Sequence, residues 1–174
     1  MRETKKAILE LEDGTVFEGK SFGFEKACSG EVVFNTAMTG YPESLTDPSY
    51  EGQVLVTTFP LIGNYGVPPK EEQDGVARYF ESSRIHCEAI VCQDYSWEYS
   101  HWLAEESLSD WLKREQVVGV YGIDTRALTK LLREKGSMLG RIFIEGAEKP
   151  EFYDPNKENL VAKVSCNEVE TYGD

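Results

Sequence analysis

Long apolar runs are missing from this 174-residue sequence: nothing in it approaches the roughly 20 residues a membrane-spanning helix requires. The opening "MRETKKAILELEDG" passes into alternating acidic residues where a secretory signal would need an unbroken apolar core. These two absences set the expectation of a cytoplasmic chain. Positive charge is also scarce. Eighteen Lys and Arg face 31 Asp and Glu, a formal charge of −13, and such a field repels phosphate backbones and anionic headgroups. Neither nucleic acid nor a membrane is an expected partner.

Histidine occurs only twice, as His86 and His101, and the four cysteines, Cys28, Cys87, Cys92 and Cys166, lack CxxC spacing. No metal site is expected from that pattern. There is no GxxxxGK, and "GKSFGFEK" lacks the spacing that lets backbone amides surround a phosphate, so the residues do not support nucleotide binding by this chain. A glycine-flanked nucleophile elbow is missing too: "ACSG" has Ala27 where the preceding glycine belongs. His86 and Cys87 are adjacent, and neighbours in an extended strand point to opposite faces. A small hydrolase using Cys87 or Cys28 with a histidine stays open as an alternative reading, as does a stand-alone binding module.

Apolar residues make up 40% and aromatic residues 11% of the chain, enough to fold as one domain with a substantial core. Asp13-Gly14, between "AILEL" and "TVFEG", predicts a β-hairpin. "EVVFNT", "QVLVTTF" and "CEAIVCQDY" read as strands. "SLSDWLKRE" reads as a helix opened by a Ser107–Asp110 capping box, and "VVGVYG" as a buried strand. "IDTRALTKLLREKG" reads as a second helix: Asp124 caps it, Ile123 and Leu128 form a hydrophobic staple, and Gly136 stops it. "MLGRIFI" follows directly, which predicts a βαβ unit with parallel pairing. From Glu145 the chain turns acidic and poor in apolar residues, and "LVAKVSC" is expected to add a last strand. The residues alone thus give an α/β fold with an added hairpin.

Two further stretches invite a functional reading. "WEYSHW" groups Trp97, Tyr99, His101 and Trp102, and such clusters pack on a core edge or a partner more often than they stack on a ligand. "EVVFNT" is followed by "AMTGYPESLTDPSY", where Gly40, Pro42, Asp47 and Pro48 stiffen sharp bends. A loop so rigid can present Ser49 and Tyr50 at a defined place outside the domain, although turn residues alone are usually structural.

Taken together, "EDGTVFEG", "GEVVFNTAMTGYPESLTDPSYEGQVLVTTFPLIGNYGV" and "GIDTRALTKLLREKGSMLG" closely resemble, in order and spacing, the N-terminal domain of the small subunit of glutamine-dependent carbamoyl phosphate synthetase. The similarity runs from the first hairpin to about Lys163. It implies a three-layer β/β/α fold of the swivelling type, with parallel and antiparallel sheet. It also implies a ligase in which the small subunit hydrolyses glutamine and passes ammonia internally to a large subunit. That large subunit uses bicarbonate, ATP and magnesium to make carbamoyl phosphate for arginine and pyrimidine synthesis. Hydrolysis belongs to a second, class I amidotransferase domain with a cysteine nucleophile and a His-Glu pair. Residues 1–150 match the first domain, and 151–174 are expected to be an acidic connection leading to that second domain. This chain alone is therefore expected to have no catalytic residue, no metal, no cofactor and no activity. Its expected partners are the large subunit, the amidotransferase domain and glutamine. The resemblance transfers one site residue, Ser49, as a glutamine ligand reaching into the neighbouring domain. Asp124 keeps its reading as a cap, Arg126 that of a salt bridge or interdomain contact, and Asn35, Thr36 and Tyr41 that of ordering the loop or facing the large subunit.

Overall fold

Gly14 adopts a φ of 85°, a backbone region that costs glycine little. It turns β1 (Lys6–Leu11) back onto β2 (Val16–Ser21) in the expected hairpin. The computed structural model describes residues 4–169, 171 and 172, so the part of the expected C-terminal connection at positions 170, 173 and 174 lies outside the described residues. After the hairpin come β3 (Cys28–Asn35), α1 (Tyr41–Thr46), β4 (Gln53–Thr57), β5 (Leu61–Ile62), β6 (Glu72–Gln73), β7 (Val76–Ala77), β8 (Ala89–Val91) and β9 (Asp94–Tyr95). The chain continues through α2 (Leu108–Arg114), β10 (Val118–Tyr121), α3 (Thr125–Lys135), β11 (Met138–Ile144) and α4 (Leu160–Val164).

Seven strands close into a barrel in the order β1-β11-β3-β4-β8-β10-β2. β3, β4, β8 and β10 run parallel to one another, and the remaining pairs are antiparallel. The fold is thus mixed α/β with a mixed sheet. Strand alternation sends side chains to two cores. Val54 and Val56 of β4, with Ala89 and Val91 of β8, join a core that also takes residues from β1, β3, β10 and β11. Leu55 and Ile90, between them, join a second core with Tyr41 and Leu45 of α1 and Leu108, Trp111 and Leu112 of α2.

The expected parallel pair of β10 and β11 does not form. β11 pairs antiparallel with β1 and β3, while β10 pairs with β8 and β2. Strand, helix, strand order along a chain fixes no neighbour in the sheet. α3 turns Leu128 and Leu132 into the first core and so fills the barrel rather than bridging two adjacent strands. The helical crossovers between parallel neighbours are instead β3 to β4 through α1 and β8 to β10 through α2, while β4 reaches its parallel neighbour β8 by way of β5, β6 and β7.

The expected last strand in "LVAKVSC" is also corrected, because Leu160–Val164 is helical. Asn159 Oδ1 accepts from Ala162 N at 3.1 Å, capping the turn, and the segment buries no residue and pairs with no strand. Among the described residues no helix is long and apolar enough to cross a membrane.

Candidate functional site

The crossover from β3 to β4 carries Ser49, and its path is fixed residue by residue. Gly40, with φ 85°, begins α1 without a side-chain cap of its own. Tyr65 supplies one from a distance: its phenol oxygen accepts from Gly40 N at 2.8 Å and Tyr41 N at 3.1 Å. The Tyr41 and Tyr65 rings stack at 4.3 Å, and Tyr41 Oη donates to the Gly66 carbonyl at 2.6 Å. Burial pushes the Tyr41 phenol above the usual phenol pKa and so disfavours its ionisation, and it stays a donor. Asn35 ends β3 and orders the loop from inside. Its Oδ1 accepts from Ala37 N at 2.7 Å, and its Nδ2 donates to Ser44 Oγ at 3.3 Å and Tyr50 Oη at 3.2 Å. Thr36 is exposed.

After α1, Asp47 caps a 3-10 turn, Pro48–Tyr50. Its Oδ1 accepts from both Ser49 N, at 2.8 Å, and Ser49 Oγ, at 2.6 Å. Ser49 is exposed. Its hydroxyl proton is held by Asp47, so the oxygen lone pairs are what it offers outward. The exit from the turn passes Gly52, at φ 75°, against the barrel wall. There Gly30 has to be glycine, since a Cβ on it would lie 2.3 Å from the Gly52 carbonyl oxygen.

A second segment, just before β8, clamps the turn from the other side. Thr46 Oγ1 accepts from Glu81 N at 3.0 Å, and Ser82 Oγ donates to the Thr46 carbonyl, 2.7 Å away. His86 N donates to the Leu45 carbonyl at 2.9 Å. Beyond the turn, Glu51 Oε2 takes Arg84 at 3.0 Å and His86 Nδ1 at 2.7 Å. Tyr65, Glu51, Ser82 and His86 thus complete the site, and sequence reading missed their part in it. Their contacts to the turn join positions 24 to 41 residues apart, a separation to which local pattern is blind. Only the isolated polar His86 before an apolar strand offered a signal.

The other candidates separate. Cys28, Cys87 and Cys92 are buried and unpaired; burial pushes the Cys28 thiol up to about 12 and the other two up as well. The His86 ring is committed to Glu51 and Ser82, leaving no thiol–imidazole pair at 86–87. Arg126 is exposed, with no ion pair among the described residues, and Asp124 Oδ1 caps α3 by accepting from Ala127 N at 2.9 Å. "WEYSHW" is divided: Trp97 packs edge-on to Tyr95 and Tyr121, whereas Trp102 is 84% exposed. Beside it an open cleft of about 400 Å³ is lined by Tyr65, Tyr79, His101 and Leu103 among others. No cluster of metal-ligating side chains occurs among the described residues.

Residues 9–142 match the family described as "Carbamoyl-phosphate synthase small chain, CPSase domain". "Multifunctional protein URA2" of Saccharomyces cerevisiae is 53% identical over 94% of this chain, which spans 8% of that protein. "Carbamoyl phosphate synthase arginine-specific small chain" of Eremothecium gossypii is 54% identical over 94% of this chain and 42% of its own length. "Carbamoyl-phosphate synthase [ammonia], mitochondrial" of Homo sapiens is 50% identical over 96% of this chain and 11% of its own. The chain therefore spans less than half of each of these relatives.

Proposed function

This chain belongs to the family of the carbamoyl-phosphate synthase small chain, and we propose that it is the scaffold domain which supports glutamine hydrolysis in such a ligase. On this reading it docks an amidotransferase domain, contributes Ser49 to the glutamine pocket, and forms part of the contact with a large subunit that binds ATP and magnesium. The division at residue 150, with the rest leading to the amidotransferase domain, belongs to the same reading. So does placement in the cytoplasm, which cell fractionation decides, since the human relative is named mitochondrial.

One observation carries the proposal. Ser49 is exposed, yet its backbone and hydroxyl are both held by Asp47 on a turn anchored at either end. An exposed hydroxyl with so little freedom is built for contact with something outside the domain, because a ligand binding it has little ordering entropy left to lose. The three-layer β/β/α description is proposed with it. The first core draws side chains from β1, β11 and the parallel strands, and the second from the parallel strands, α1 and α2, which supports that layering.

The test is Ser49→Ala in the assembled enzyme. A hydrogen bond to a charged ligand group is worth about 1.5 to 3 kcal/mol, so glutamine use is expected to weaken roughly tenfold to a hundredfold. Synthesis from added ammonia should be unchanged. One relative is named for ammonia, so both nitrogen donors belong in the assay. Unaltered glutamine kinetics would remove Ser49 from the pocket.

A further inference from the structure

The segment before β8 buries the ring of His86, and both ring nitrogens are engaged. Nδ1 lies 2.7 Å from Glu51 Oε2, and Nε2 lies 2.9 Å from Ser82 Oγ. The Ser82 hydroxyl is also 2.7 Å from the Thr46 carbonyl oxygen and 3.0 Å from that of Arg84. A carbonyl only accepts, and a hydroxyl has a single proton to give. The nearest acceptor to that proton is the Thr46 carbonyl, an assignment that leaves Ser82 Oγ to accept from Nε2. The Glu51 carboxylate accepts as well. On that assignment each ring nitrogen carries its own hydrogen and the ring is an imidazolium.

The charges around the ring are of both signs. Glu51 faces it from the loop and is shared with Arg84 of the same segment as the ring. Glu88, at the entry to β8, adds a second acidic group that interacts with Glu51; burial holds its carboxyl above the usual range, while Lys26 and Lys163 oppose that rise. The ring's reach along the sequence matters more. Thr46 stands before Ser49 and Glu51 after it, so one imidazolium secures both sides of the turn, the first through Ser82 and the second directly.

We infer that His86, protonated on both nitrogens, is the positioning residue for the turn that carries Ser49. The inference rests on the reading of Ser49 as a glutamine ligand, and two measurements separate them. The first is NMR of the chain labelled with 15N in histidine. At neutral pH both His86 nitrogens are expected to give protonated-type shifts, and Glu51→Gln, which keeps the carboxylate's shape, is expected to leave one nitrogen bare. One bare nitrogen in the unsubstituted chain overturns the inference. The second is kinetic. His86→Asn keeps a donor near the Nδ1 position and gives up the link to Ser82. In the assembled enzyme its KM for glutamine is expected to rise about tenfold, the loss of one well-made hydrogen bond, with kcat from ammonia unchanged. Should S49A raise that KM while H86N leaves it alone, His86 does not position the turn and the reading of Ser49 survives. A silent S49A removes both. If H86N fails to fold, Ser82→Ala deletes the same link from the partly exposed partner, and the same outcomes decide.

Discussion

Exposure and protonation decide what single side chains can do here, and the cysteines show it most directly. Cys28, Cys87 and Cys92 are enclosed with their thiols held protonated by burial, whereas Cys166 is exposed. Thiolate is the reacting species. A thiol reagent is therefore expected to label the native chain at Cys166 alone and all four positions after denaturation, as mass spectrometry of the digested product will read. Native labelling at Cys87 or Cys28 would revive a thiol hydrolase. At this scale the sequence was informative wherever the answer is local. The restraint of Ser49 follows from Asp47 and Pro48, whereas His86 and Cys87 lie before β8, and it is the bonds of the His86 ring to Glu51 and Ser82 that keep it from the thiol. The second hydrogen-bond partner of Thr46, or of Gly40, lies in a segment that nothing local announces.

Among the elements, capping residues were legible because a cap is settled within four residues. Asp124, Ile123, Leu128 and Gly136 frame α3 as read. Ser107 caps α2, accepting from Asp110 N at 3.1 Å, while Asp110 returns to the Ser107 hydroxyl at 2.6 Å instead of to its backbone. Pairing was not legible. β11 reads as a strand from its own residues, but its partners depend on which edges other strands leave free. One tie between elements is open to a pH experiment. Asp13, in the β1–β2 turn, accepts from Lys135 at the end of α3 at 2.7 Å, which, with the hydrogen bond from Thr15, lowers its carboxyl from 3.8 to about 2. A carboxyl with a lowered folded value contributes stability that is present above its unfolded value and lost as pH falls toward the folded one. Asp13→Asn is thus expected to reduce stability above pH 3.8 and to flatten the loss between there and about 2, measured by urea unfolding at stepped pH. An unchanged acid limb would show that the pair is too well solvated to matter.

For the molecule as a whole, the two cores lie back to back on β4 and β8. Val54, Val56, Ala89 and Val91 serve one, and Leu55 and Ile90 the other. Both cores are built on the same two strands, so cooperative unfolding in one step is expected. Trp97 and Trp111 report on the second core, and far-ultraviolet circular dichroism reports on the barrel. Their thermal transitions should coincide, and an earlier tryptophan transition would show that the helical side melts by itself. The acidic composition, −13 overall, was legible at this scale from the outset; ring closure was not, because it is a property of seven strands at once.

That closure limits how anything else can join this body. Each strand of the ring already has a neighbour on both flanks, so no visiting chain can add itself to the ladder by main-chain bonds, the route open sheets offer. Outside the ring, among the described residues, only the short ribbons β5–β9 and β6–β7 keep open edges, so recruitment is read out chiefly in the shape and charge of projecting tips.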